Sequence, residues 1–168
     1  MWGCVARYNI YVTDKTYQRR IVTRDCPPEH PNACALYDYW NIKRGNRRFP
    51  AWTDIDLLDL WKIASCLIVK DVIDGGIDFL NRYWGTQVAL RAGFDATGKT
   101  HQNIYNNQPL GPQLDAYQEV VNLRVANTVF RSSSFISGRD FIVYNSLNLP
   151  LGVSDEKVDN IISVVDYE

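Results

Sequence analysis

Two β runs joined by a glycine turn, with three more at the C-terminal end, constrain this chain more than any other feature. Ser65 to Val72 is apolar and rich in β-branched residues, and it ends at Asp74-Gly75-Gly76. Ile77 to Trp84 follows at once as a second β run. A connection this short joins antiparallel neighbours, because parallel strands need a crossover of about a dozen residues or more. Val129 to Ile136, Phe141 to Leu151 and Val158 to Val165 read as three further strands, the first two joined by the turn Ser137 to Asp140. Between the two groups the period changes to a helical one. Thr86 to Ala92 reads as a short helix stopped by Gly93, Thr100 to Tyr105 as one more helical turn, and Gln113 to Asn127 as the longest helix. Leu114, Tyr117, Val121 and Val125 form its apolar stripe, widened by Val120. Antiparallel strands split by a helical insert predict an α+β fold.

The N-terminal region is different in kind. Tyr8, Ile10 and Val12 alternate with Asn9 and Tyr11, and Tyr17 to Thr23 returns after a turn, which predicts a β-hairpin. Asp25 to Asn32 holds three prolines and reads as a rigid linker. Ala33 to Arg44 reads as a helix with Leu36, Tyr37 and Trp40 on one face and Gly45 as its stop. Asp54 or Asp56 is placed to cap a second helix through Leu57, Leu58, Leu60 and Trp61. The expected division is an extension over residues 1–32 and a domain over 33–168. A hairpin alone is unstable, so it should pair with the edge of its own sheet or with a second protomer, giving a homodimer.

Eighteen basic and nineteen acidic residues leave a net charge of −1, which argues against a general nucleic-acid coat. No apolar run is long enough to cross a bilayer, and Arg7, Asp14, Lys15, Arg19 and Arg20 break any leader-like pattern, so cytoplasmic residence is expected. On that expectation Cys4, Cys26, Cys34 and Cys66 are four reduced thiols. Cys26, His30 and Cys34 are four residues apart in turn, but structural zinc favours closer pairs, so no metal site is expected. Neither G-x-S-x-G nor H-E-x-x-H occurs, and Asp54, Asp56 and Asp59 read as capping and solvated acids. Lys43, Arg44, Arg47 and Arg48 form a basic knot that suits an anion or a solvated helix end.

Gly93 to Thr100 matches the phosphate-loop pattern G-x-x-x-x-G-K-[ST], with Asp166 at the end of an apolar run as a metal-binding partner. That chemistry needs a strand before the loop, a substantial helix after it and a parallel sheet. Here Thr86 to Ala92 reads as helix, and Pro109, Gly111 and Pro112 stop whatever follows. The competing expectation is a capped turn built by Asp95 and Thr97. Nucleotide binding by Gly93 to Thr100 stands as the alternative function.

From Tyr39 to Val165 the chain resembles a family of compact, stand-alone PAS domains common in alphaproteobacteria. The resemblance rests on Tyr39-Trp40 leading to Arg44-Gly45, then Arg48 and Pro50, then Asp54 and Asp56. It continues through Arg82, Gly85 and Thr86, then Gly93, Asp95, Thr97, Gly98 and Lys99, and ends on Pro150-Leu151. It implies a five-stranded antiparallel sheet with helices packed on one face, and a non-enzymatic role in sensing or protein interaction within bacterial signalling. It also places a ligand pocket between the sheet and the longest helix. On that basis Trp84, Leu114, Tyr117, Val121, Arg131 and Tyr144 are the candidate walls. Cofactor expectations are negative. No Cys follows Cys66 to make a flavin adduct, and His101 is the one His of the insert, in a short turn, read as solvent-exposed rather than as a haem ligand. The remaining alternative is an interaction domain without a cavity.

Overall fold

The computed structural model describes residues 8–12, 15–105, 112–134, 136 and 138–168. Its strands are β1 (Tyr8–Val12), β2 (Lys15–Val22), β3 (Leu67–Ile73), β4 (Asp78–Trp84), β5 (Ala126–Ser133), β6 (Val143–Leu151) and β7 (Asn160–Tyr167). Its helices are α1 (Pro31–Arg44), α2 (Thr86–Ala92), α3 (His101–Ile104) and α4 (Pro112–Leu123). All seven strands form one antiparallel sheet in the order β1-β2-β5-β6-β7-β3-β4. The α+β architecture read from the chain is therefore what forms. The β3–β4 hairpin lies beside the last strand, β7. At the other side β2 hydrogen-bonds β5 from Gln18↔Phe130 to Val22↔Ala126, covering an edge that would otherwise be open.

Helices cover both faces of the sheet, which corrects the expectation of one. Strand alternation decides this. Leu67, Val69, Leu147, Leu149, Ile162 and Val164 share one face, since paired residues point the same way. α1 packs on that face through Leu36 and Trp40. It is pinned by Trp40 Nε1 donating to the Pro150 carbonyl (2.9 Å) and Asn32 Nδ2 donating to Asp166 (2.7 Å). The opposite face carries Ile68, Lys70, Tyr144 and Val165, and α2, α3 and α4 lie over it.

Several local expectations are corrected. No α-helix forms through Leu57 to Trp61, where the chain makes successive turns and leaves Trp61 exposed. Asp54 instead accepts from the Ala51 N–H and pairs with Arg47 at 2.7 Å. α4 stops at Leu123 because Arg124 adopts φ +55°, which breaks the helix before β5. Cys26 is disulfide-bonded, while Cys34 and Cys66 are free. Four reduced thiols are thus not what forms, and Cys26 offers no thiolate to a metal.

Two glycines are required by geometry. A Cβ on Gly85 would lie 2.3 Å from the Ser65 carbonyl oxygen, so only glycine lets β4 turn into α2 against that backbone. Gly93 closes α2 at φ +87°. The loop that follows is a capped turn. Asp95 Oδ1 accepts from the Thr97 N–H (2.9 Å) and hydroxyl (2.7 Å), and the Gly98 N–H donates to the Asn81 carbonyl (2.7 Å).

Candidate functional site

The face under α2, α3 and α4 is unusually polar for a sheet interior. Register places Ile68 opposite Ser163 and Trp84, Lys70 opposite Ile161 and Asn81, and Tyr144 opposite Tyr167. Above them α2 contributes Val88 and Arg91, α3 contributes His101, and α4 contributes Gln113 and Tyr117. A cavity of about 50 Å³ remains between the layers. For scale, an apolar cavity of about 150 Å³ admits benzene, whereas each water needs only some 10–15 Å³. The space therefore suits a short ligand or a few waters.

Three buried polar side chains meet there. His101 is 1% exposed and neither ring nitrogen has a hydrogen-bond partner. Its ring stacks at a tilt on Tyr105 (4.6 Å between centroids) and meets Tyr117 edge-on (6.3 Å). The Tyr144 hydroxyl, on a residue 4% exposed, makes no hydrogen bond within 3.5 Å, although the Ser132 and Gln113 side chains lie close enough to favour its charged form. Lys70 is 3% exposed, donates through Nζ to Asn81 Oδ1, and lies 4.9 Å from the centre of the Tyr117 ring. Asn81 Oδ1 also accepts from Trp84 Nε1 (3.1 Å), and its Nδ2 donates to the Lys99 carbonyl (2.9 Å). Lys70 is thereby held in place from a fixed amide. Unpaired buried donors and acceptors each cost about 1–3 kcal/mol, so two beside one cavity call for an explanation.

Burial sets the protonation states. It lowers Lys70 to a pKa of about 7, with the Asp78 charge pulling the other way. It lowers His101 to about 3, helped by the charge of Lys70. It raises Tyr144 to about 12, and pushes Tyr105, Tyr117 and Tyr167 upward as well. Near neutral pH the cavity presents a neutral imidazole with one donor and one acceptor, protonated phenols, and an amine close to its midpoint.

No family model matches the chain, and no curated protein or solved structure matches it either.

Of the residues singled out in the sequence, Trp84, Tyr117 and Tyr144 line this cavity. Leu114 and Val121 do not. Leu114 is buried in the main core, and Val121 packs beside the β3–β4 turn, where a Cβ on Gly76 would touch it at 3.5 Å. Arg131 points to solvent and pairs with Glu168 at 3.2 Å. The cause is a bulge: the β5–β6 register shifts between Val129 and Ser132, and Arg131 takes φ +49° with its N–H donating to Asn145. Among the motif residues, Trp40 and Pro150 meet each other, Arg82 pairs with Asp71 (2.7 Å), and Thr86 opens α2.

His101, read as solvent-exposed, is instead among the most buried side chains, because α3 follows a loop whose Thr100 bridges to Leu80 of β4 and drops the helix onto the sheet. Lys70 was not singled out. Its one signal was a charge on the same strand face as Ile68, inside an apolar run. The phosphate-loop pattern is differently placed: a helix precedes it, a four-residue helix follows, and Lys99 Nζ sits 5.7 Å over the Phe94 ring. The basic knot is engaged internally, with Lys43 on Asp59 (3.3 Å), Arg47 on Asp54, and Arg48 donating to the Leu123 and Arg124 carbonyls.

Proposed function

We propose that this chain is a PAS-type sensor domain whose cavity between the sheet and α2–α4 binds a small ligand. One observation carries the reading. Two buried side chains, His101 and Tyr144, keep hydrogen-bonding groups without protein partners beside the same cavity as Lys70. A protein that only needed a core would fill such positions with apolar residues, at lower cost. The five strands β3 to β7 with helices between them, and the sequence motifs from Trp40 to Pro150, support the PAS resemblance. Binding here would act on α2, α3 and α4 directly, since all three contribute walls. The site offers recognition chemistry rather than a nucleophile–base–orienter constellation, so a non-enzymatic role fits best.

Native mass spectrometry of freshly purified protein tests this. The expected result is a mass excess from a non-covalent molecule that disappears on denaturation. It should be absent from a His101→Phe/Tyr144→Phe double variant that keeps its fold by circular dichroism. Identical native and denatured masses, with no excess in either protein, would count against a ligand-binding role and favour a cavity-free interaction domain.

A further inference from the structure

The charges around the cavity are one-sided. Among the described residues its walls include Lys70 inside and Arg91 on α2, and no Asp or Glu. Among the described residues Lys70 makes no ion pair: the acidic charge that acts on it is Asp78, whose Oδ1 already accepts from the Phe79 N–H (2.8 Å) and the Gln102 N–H (3.1 Å). A buried ammonium with one amide acceptor and no counter-ion is costly to keep. It still has N–H groups to give, the Tyr144 phenol has an O–H, and the neutral His101 ring has one N–H beside one accepting nitrogen. Three donor side chains, one of them a cation, thus line one small space, which the oxygens of an anion can satisfy. The rest of the wall is apolar, with Ile68, Val88, Ile104 and Val165 facing inward. An inorganic anion would leave that surface unused, whereas a short carbon tail would cover it.

Resting on the reading of this cavity as a ligand site, we propose that the ligand is a short-chain organic carboxylate. Its carboxyl group is held by Lys70, Tyr144 and His101, and its carbon tail lies against Ile68, Val88 and Val165. The small volume sets the upper limit of length, and the charge pattern sets the head group. Lys70 gives the counter-charge that offsets the desolvation of a carboxylate, and the carboxylate in turn removes the cost of the unpaired ammonium.

NMR titration of isotope-labelled full-length protein tests the proposal, with acetate, propionate and butyrate as probes, their matched primary amides, and nitrate. The expected result is saturable shifts of the Tyr144 and His101 ring signals by at least one acid. That acid should bind about ten- to a hundredfold more tightly than its amide. Lys70→Met, an apolar replacement of similar length, should erase that preference. Tyr144→Phe should weaken the acid more than its amide, because the bond to a charged oxygen is the stronger, and it carries the test if the Lys70 variant does not fold. Amides binding as tightly as acids, or nitrate as tightly as propionate, would overturn the carboxylate assignment and leave the cavity reading standing. Failure of every probe to shift those rings would also overturn it. The broader reading would then rest on the native-mass measurement alone.

Discussion

Replacing His101 by Phe separates stability from function in one experiment. The imidazole is buried with both nitrogens unpartnered, and burial holds its pKa near 3 against an ordinary 6.5. As pH falls below 6.5 the unfolded chain takes up a proton that the folded chain refuses until about pH 3. Folding stability therefore falls with pH over that window, by about 1.4 kcal/mol per unit, or roughly 5 kcal/mol across all of it. Above 6.5 both states are neutral, and what remains is the cost of an unpaired imidazole, about 1–3 kcal/mol. Phe keeps the ring contacts with Tyr105 and Tyr117, and the adjoining 50 Å³ accommodates its extra bulk. Urea melts of both proteins from pH 7.5 to 4 make the comparison. The variant should be more stable by about 1–3 kcal/mol at neutral pH, with an advantage that widens toward acid and with its ligand lost. Curves that run parallel at every pH would refute the reasoning, since carboxylates elsewhere titrate alike in both proteins.

Gly85→Ala forces a Cβ to within 2.3 Å of the Ser65 carbonyl oxygen, so thermal melts should show a loss of roughly 3 kcal/mol or more, or no folded protein. Trp40→Phe removes the bond to the Pro150 carbonyl and some packing under α1, which should cost about 1–3 kcal/mol in urea unfolding. Thiol titration of the denatured, unreduced protein should find two reactive cysteines, Cys34 and Cys66; four would contradict the disulfide at Cys26. Among the described residues β1 has a strand on one side only, so we propose that two copies join there; light scattering of the full chain should give twice the 19.3 kDa chain mass, and a monomer mass would exclude it.

The strands were legible because short turns and apolar alternation leave few alternatives: Asp74-Gly75-Gly76 fixed the β3–β4 hairpin, and Tyr117 and Tyr144 fell on the cavity side of their elements as their spacing required. What escaped the sequence has local causes. Periodicity carries a residue to the wrong side wherever a bulge intervenes, and Arg131 sits in one. Leu114 lies one turn from Tyr117 on the same stripe and in the same core cluster, yet only Tyr117 reaches the cavity, because the stripe is wider than the cavity. Lys70 and His101 were hidden by their own chemistry: a charged or titratable side chain is normally a surface residue, and only tertiary packing shows that these two are not. The disulfide at Cys26 depends on proximity across the chain, which cysteine spacing does not encode.

A crystal structure at high resolution from protein purified without added small molecules tests the central claim most directly. Density is expected for a short molecule between the sheet and α2–α4, within hydrogen-bonding distance of Tyr144, His101 and Lys70. A closed interior, with the phenol and imidazole bonded to neighbouring protein groups and no room between them, would contradict it.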